Sequence, residues 1–244
     1  MIAHSMHVVK ATVQHLNPSQ TPVLELDQPL FAMAKQMQWS VDSFRENKFV
    51  VMLGGLHIKM AALKILGKWL DGSGWSEVMC NAGVATQRVA DSFLSASHVT
   101  RTRRAHQITA ASLYILMKKA YDAFCIAEDM DEESLVSFTD WRNTMLAKSP
   151  QFLYWDSVLK LELTCLQLVR AFREASFPLY TRAIREVLPW MFALDHPNYS
   201  RWLLAQGIRM CMRTLLEALL SCIKQTESFQ QLHLITHMSK LMPL

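Results

Sequence analysis

Hydrophobic residues follow two different patterns along this chain, and the change comes near residue 75. Before it, two short and largely apolar runs, 22–27 and 48–53, are rich in β-branched and aromatic residues, which favours strands. Between the runs, apolar residues recur at the spacing of one helix face: Leu30, Phe31, Met33, Ala34 and Met37. The first part of the chain therefore predicts a strand, a helix and a second strand.

Residues at the ends of these segments indicate how they connect. Pro29 suits the first turn of a helix, where its missing N–H is not needed. A Gly54–Gly55 turn leads from the second run into a helix over 56–70, and Asp71–Gly74 ends that helix. We therefore expect the two strands to pair in parallel through a right-handed crossover.

The N-terminal segment is ambiguous. Residues 5–15 fit either a short strand, with its strand signal over 7–13, or a frayed helix. Asn17–Pro18 then marks a turn before the first predicted strand. Both alternatives stay open at the level of the sequence.

From Trp75 onward the apolar spacing predicts one helix after another. The predicted helices span 75–96, 104–127, 138–147, 151–173, 177–192 and 198–223. The fold class is a helix-dominated α/β protein, in which a small parallel sheet precedes a large all-helical region. We expect three parts: a partial α/β core over 1–72, a helical region over 73–205 and a divergent tail over 206–244.

Composition agrees with a folded, helical protein. Apolar residues make up 51% of the 244 residues and charged ones 19%, which excludes a disordered chain. Glycine (7) and proline (8) are scarce, whereas methionine (15) is abundant, as long helices favour. The net charge of +4 is compatible with a nucleic-acid partner without indicating one.

Sequence features also bear on the compartment. The longest apolar run, 49–70, is interrupted by charged residues and a glycine pair, so we expect no membrane span and no membrane partner. The first residues lack the apolar core of a signal peptide. The five cysteines are widely spaced and favour buried free thiols over disulfides or zinc. We expect an intracellular protein, nuclear or cytoplasmic.

Two polar side chains stand where chemistry would be expected in an α/β fold. Asp27 follows the first predicted strand and His57 follows the second, at the ends of what the pattern predicts to be short buried strands. Such strand ends are where open α/β sheets place their sites. These two residues are therefore the first candidates for catalysis.

Five separated blocks of this chain resemble a known family. They are LDQPLFAMAKQMQW, KFVVMLGGLHIKMAALKILGKWLDGSGW, ASHVTRTRRAHQITAASLYIL, KSPQFLYWDSVL and FALDHPNYSRW, and together they extend over roughly residues 10–205. The blocks are similar to a family of uncharacterised proteins that are scattered through animal genomes and travel with transposable elements. More distantly, the order strand, aspartate, helix, strand, histidine resembles the middle of RNase H-like transposases of the Mutator and hAT type.

That resemblance implies roles for particular residues. Asp27 matches a metal-binding carboxylate of those transposases, and His57 matches their histidine, although Gly54 replaces the cysteine of the usual pair. Two-metal phosphoryl transfer needs about three converging carboxylates, and Asp195 is the sole later candidate. Since the acid set is incomplete, we expect no activity, no metal site and no cofactor. Magnesium or manganese would be needed only by an active nuclease.

The densest basic patch lies at the start of a predicted long helix. Arg101, Arg103 and Arg104 present planar guanidinium groups suited to phosphate, so they are the candidates for contacting DNA. A solvated helix turn explains the same residues without a partner. His57, His98 and His106 have no histidine or cysteine at short ligand spacing, so we expect no zinc site.

The C-terminal tail differs from the rest. After Trp202 the chain becomes rich in leucine, methionine and cysteine and nearly free of acids, which is what a change of reading frame near 203–212 would produce. We expect 210–244 to pack poorly. Three functions stay open: a catalytically inactive transposon-derived protein fragment, a helical interaction or scaffold protein, and a metal-dependent nuclease or transposase acting on DNA.

Overall fold

The computed structural model describes residues 2–127 and 136–205. Residues Met1–Ser200 form one compact unit, and the chain from Arg201 belongs to a second, of which 201–205 are described and helical. The elements of the first unit are α1 (Ile2–Leu16), β1 (Val23–Leu26), α2 (Gln28–Ser40), a 3₁₀ turn (Asp42–Phe44), β2 (Val50–Leu53), α3 (Gly55–Leu70), α4 (Trp75–Asn81), α5 (Gln87–Leu94), α6 (Val99–Ala127), α7 (Phe138–Lys148), α8 (Pro150–Arg173) and α9 (Phe177–Ala193).

The predicted sheet is present. β1 and β2 pair in parallel, with Val23 opposite Val50 and Leu26 opposite Leu53, and α2 forms the crossover between them. The helix-dominated α/β class is thereby confirmed, and the described residues contain no strand beyond residue 75. The expectation that both strands are buried is wrong for β1: none of its four residues is buried and Val23 is 54% exposed, whereas Val51 and Leu53 of β2 are buried.

The N-terminal segment is a helix and not a strand. α1 covers the whole of 7–13, and its Met6 is fully buried. His7 contacts the Phe44 ring edge-on at 4.7 Å between centroids, and Lys10 Nζ donates a hydrogen bond to the Ser43 carbonyl (3.0 Å). The strand alternative fails because a short run of mixed polarity fits both periods, and packing of α1 against α2 decides between them.

The helix predicted over 75–96 is divided in two. α4 ends at Asn81, Gly83 adopts a left-handed backbone (φ +69°), and α5 begins at Gln87. Glycine takes that conformation without the steric penalty that a Cβ would bring, so Gly83 turns the chain at this point. The bounds of the predicted helices at 56–70, 151–173 and 177–192 agree with α3, α8 and α9 to within two residues.

Helix α3 is the centre of the first unit. It packs against α5, α6, α8 and α9, and nine of its residues are buried. Two glycines allow close approach: Gly55 lies against the Phe172 ring, and Gly67 lies so near the Leu94 carbonyl that a Cβ would have no room. α8 in turn contacts α6, α7 and α9.

Several predictions concern residues outside the described part of the chain. The turn at 128–133, most of the helix at 198–223 and the poorly packed tail at 210–244 fall there, as do Cys211 and Cys222. The remaining cysteines, Cys80, Cys125 and Cys165, are free thiols, of which Cys165 is buried and the other two are half-buried.

Candidate functional site

Asp27 stands directly after β1, where α2 begins. Its backbone is extended, and its Oδ1 accepts a hydrogen bond from the Leu30 N–H (3.1 Å). An aspartate at this position satisfies one of the N–H groups that the start of a helix leaves unpaired. In this fold, the side chain that the resemblance matches to a metal ligand serves as a helix N-cap.

His57 lies in the first turn of α3, just after β2. The Gly54 N–H donates to the Leu26 carbonyl (2.8 Å) and so ties the end of β1 to the start of α3. The His57 ring packs beside Gly54, with Cδ2 3.3 Å from where a Cβ would stand. Asp27 and His57 therefore both follow the carboxyl ends of the strands. Burial, and next the charge of Asp27, raise the pKa of Tyr199 at the same edge.

Asp195 belongs to a different environment. It is exposed, has a left-handed backbone (φ +56°) and follows the end of α9, where Lys68 Nζ donates to the Leu194 carbonyl (2.7 Å). Burial and the charges of Lys68 and Lys64 lower the pKa of the adjacent His196. Among the described residues, no group of three or more His, Cys, Asp or Glu side chains could hold a metal ion. Asp195 does not complete a ligand set there.

The basic candidates lie in the first two turns of α6. Arg101 and Arg104 are exposed, whereas Arg103 is half-buried and its Nε is shielded from solvent without a hydrogen-bond partner. His98 is exposed while His106 is buried, so these histidines do not face the same environment. The arrangement leaves two guanidinium groups on the outer side of the helix.

A buried hydrogen-bonded couple joins α6 to α8. His106 Nδ1 lies 2.8 Å from Glu162 Oε1, and the two side chains are 1% and 0% exposed. Burial raises the pKa of Glu162, and His106 opposes that rise through its charge and its hydrogen bond. The His106 ring stacks on Trp75 at 5.4 Å between centroids, and Trp75 Nε1 donates to Thr109 Oγ1 (2.9 Å).

No spacing pattern in the sequence predicts this couple. Its two members are far apart in the chain, and each sits in a helix whose other residues are mostly apolar. Helical spacing does place Thr102, His106 and Thr109 on one side of α6, and the structure buries all three. That polar stripe is the signal in the sequence that points to a buried network.

An apolar groove opens beside this couple. Its volume is about 500 Å³, and residues of α4, α6, α7 and α8 line it, among them Trp75, Val78, Leu116, Met117, Met145 and Trp155. Two of the buried polar side chains at its wall have partners: Trp75 bonds to Thr109, and Asp156 pairs with Arg142 at 2.6 Å. The groove therefore offers an apolar surface with few free polar groups.

The middle of α6 turns apolar side chains outward next to the groove. Tyr114, Ile115 and Leu116 are exposed, Ile115 by 52% and Leu116 by 61%. The sequence carries a direct signal for this, because five consecutive apolar residues, 113–117, extend all the way round a helix. A helix that is apolar all round is typical of one buried on every side. In the described part of the chain, nothing covers this surface.

Comparison with known proteins gives a family and no function. Residues 1–137 match the family described as a Domain of unknown function (DUF8702), which is more than half of the chain. The chain belongs to the DUF8702 family. No curated protein and no solved structure matches it.

The DUF8702 region contains most of the features described above. It includes the parallel sheet with Asp27 and His57, the basic residues of α6 and the outward apolar residues of the same helix. Glu162, the partner of His106, lies beyond the matched residues. None of the described helices is both long enough and apolar enough to span a membrane.

Proposed function

We propose that this DUF8702 protein is a transposon-derived, catalytically inactive fragment that acts as a helical interaction protein. The observation that carries the proposal is the exposed apolar middle of α6, where Tyr114, Ile115 and Leu116 meet solvent beside an apolar groove. Contiguous apolar surface of this kind marks a contact site on a soluble domain. A helix that would be stable in the interior of a larger assembly suits a protein that works by association.

The sheet edge supports the inactive half of the proposal. One oxygen of Asp27 is engaged as the N-cap of α2, and Asp195 lies near Lys68 and His196. Two-metal chemistry needs carboxylates converging on ions about 4 Å apart. The proposed origin in a transposable element is supported by the resemblance of the sequence blocks and by no geometric observation.

A nuclease assay separates the inactive protein from the metal-dependent alternative. Purified full-length chain would be incubated with supercoiled plasmid and Mn²⁺, beside an Asp27→Asn variant. Asparagine keeps the cap, because its side-chain oxygen still accepts from Leu30 N–H, but it removes the charge that a metal ligand needs. We expect no nicking from either protein. Nicking by the wild type that the variant loses would establish the nuclease and refute the proposal.

A fluorescent apolar probe tests the interaction surface directly. Anilinonaphthalene sulfonate should bind at the groove, and Leu116→Asp should reduce its fluorescence because that residue is both exposed and part of the groove wall. The matched control is Leu163→Asp, since Leu163 is a helical leucine that is 45% exposed and does not line the groove. Equal probe binding by both variants would show that the groove is not the apolar contact site.

DNA is the second candidate partner, and Arg101 and Arg104 are the observation in its favour. Both are exposed on α6 and together could neutralise phosphate charge. Binding of duplex DNA at low salt that falls steeply with added salt, and that falls further in Arg101→Ala, would favour this partner. If no binding of duplex DNA can be measured at about 50 mM salt, DNA is excluded as a partner.

A further inference from the structure

One line of residues runs along the outward side of α6. Arg104, Ile108, Ala111, Ile115 and Asp122 follow one another at intervals of three, four or seven, so they lie on one side of the helix. All five are exposed. We call this line the α6 stripe. It has Arg104 at one end, Asp122 at the other and apolar residues over 108–115; Lys118, on the same side of the helix, pairs with Asp122 within the chain (2.6 Å).

We propose that the α6 stripe packs against the α6 stripe of a second copy of this chain, antiparallel, about a two-fold axis at the level of position 113. This inference rests on the proposed function and names the partner. A two-fold interface brings the same patch of both subunits together, so each residue i that contacts j is matched by j contacting i. The stripe meets that requirement in two independent ways.

The first way is charge. An antiparallel pairing centred on position 113 sets Arg104 of one copy opposite Asp122 of the other, twice by symmetry. Asp122 uses Oδ1 to accept from Lys118 Nζ (2.6 Å), and its side chain is still 53% exposed. A parallel pairing would instead set Arg104 against Arg104 and Asp122 against Asp122, which is repulsive. The charges therefore select the antiparallel arrangement.

The second way is side-chain size. The same centre sets the large Ile115 of one copy opposite the small Ala111 of the other, again twice. A large side chain facing a small one lets two helices approach closely, at the usual 8–10 Å between axes. Charge and size give the same midpoint although they rest on different residues. Tyr114 and Leu116 flank the stripe and extend the apolar contact.

The decisive experiment uses two charge variants of the full-length chain, alone and mixed. Sedimentation equilibrium of the wild type should show a monomer–dimer equilibrium. Arg104→Glu alone puts Glu against Asp122, and Asp122→Arg alone puts Arg against Arg104, so each should raise the dimer dissociation constant about tenfold or more. In an equimolar mixture both charge pairs are attractive again. We expect the mixture to regain the wild-type dissociation constant to within about threefold.

A packing variant and its control complete the design. Ile115→Asp should abolish the dimer, whereas Leu163→Asp, with a similarly exposed leucine on α8, should leave it intact. Circular dichroism confirms that each variant stays folded. A wild type that remains monomeric at the highest soluble concentration overturns the inference. So does association that Ile115→Asp does not change, because the contact then lies elsewhere in the chain.

The outcomes also separate this inference from the proposed function. If the charge variants fail to rescue each other while Leu116→Asp still lowers probe binding, the interaction surface exists but its partner is not a second copy. If Arg104→Glu leaves sedimentation unchanged and weakens binding to duplex DNA, the stripe faces nucleic acid and the dimer is wrong. If probe binding does not depend on Leu116, the proposed function itself fails.

Discussion

Polar residues usually lie on the surface of a protein and apolar residues in its core. Two parts of α6, its first half and its middle, depart from this rule in opposite directions. The first half buries Thr102, His106 and Thr109, which are polar, whereas the middle exposes Ile115 and Leu116, which are apolar. Both halves belong to one continuous helix. Helix propensity therefore does not explain the difference, and the surroundings of each half must.

The first half has partners within the chain. Glu162 pairs with His106, and Trp75 donates to Thr109. These hydrogen bonds compensate part of this polar set, while Thr102 Oγ1, His106 Nε2 and Glu162 Oε2 are shielded from solvent without a hydrogen-bond partner. Among the described residues, none covers the middle, and the exposure of its apolar side chains to water is unfavourable in free energy. Within the described residues, folding supplies partners to the first half of α6 and leaves its apolar middle exposed to solvent.

The largest effect is expected at the buried couple. His106→Ala leaves the Glu162 carboxyl buried without its partner and removes the ring that stacks on Trp75. Leaving a buried hydrogen-bonding group without its partner costs about 1–3 kcal/mol in the free energy of unfolding, and the cavity left by the ring adds to that loss. Urea denaturation measures it, with His98→Ala as the control at an exposed histidine of the same region. A loss below about 1 kcal/mol would mean that the couple is incidental.

The second prediction concerns pH. Burial raises the pKa of Glu162 above its ordinary value, so at a pH between the unfolded and the folded pKa the folded chain binds more of this proton than the unfolded chain does. The free energy of unfolding must then fall as pH rises from the unfolded pKa to the folded pKa, and level off above it. Glu162→Gln keeps a group that can bond to His106 Nδ1 but does not titrate.

Unfolding measured from pH 4 to pH 8 in both proteins checks this sign. We expect the wild type to lose stability relative to Glu162→Gln as pH rises, with the two curves meeting at the acid end. A difference that is constant with pH, or one that grows toward acid, would contradict the assignment of Glu162 as a carboxyl whose pKa is raised.

The third prediction separates structure from chemistry at the sheet edge. Asp27→Ala removes the N-cap of α2 and should lower the free energy of unfolding by about 1 kcal/mol. Asp27→Asn should cost only a few tenths of that, because asparagine caps equally well. Thermal unfolding of the two variants gives the comparison. An equal loss in both would show that the charge of Asp27, and not the cap, stabilises this edge.

The smallest effect on stability is expected on the outward side of α6. Ile115→Asp should change the unfolding free energy of the monomer by less than about 0.5 kcal/mol, because the side chain already meets solvent. Urea denaturation at dilute protein concentration measures it. A small loss of unfolding free energy in Ile115→Asp, beside a large loss in His106→Ala, would show that the first half of α6 stabilises the fold and that its exposed middle does not. A loss above 1 kcal/mol would place Ile115 in the core.

Much of the fold was predictable because it depends on local pattern. The two apolar runs and the helix between them predicted the parallel β1–β2 pair, and the helical period after Trp75 predicted α7 to α9 nearly to their ends. The prediction for α6 started at 104, whereas the helix begins at Val99. Local pattern also explains the failures. The run at 7–13 carried both periods, and the turn at Gly83 was hidden inside an otherwise continuous amphipathic stretch.

The candidate site was harder to predict because it depends on contacts between distant segments. His106 meets Glu162 only after α6 and α8 have packed, and no spacing rule pairs them. Asp27 was a candidate ligand because both catalytic and helix-capping aspartates occur at the ends of strands. Only the hydrogen bond from the Leu30 N–H shows that Asp27 is a cap. The exposed apolar residues of α6 were predictable from the sequence, because five consecutive apolar residues at 113–117 cannot all face one side of a helix.

The proposed pairing of two α6 stripes can be tested by hydrogen–deuterium exchange across 104–122 at a series of protein concentrations. We expect protection of these amides to rise with concentration in the wild type and not in Ile115→Asp, while the amides of 155–168 in α8 exchange equally slowly at every concentration. Protection across 104–122 that does not change with concentration would refute the pairing.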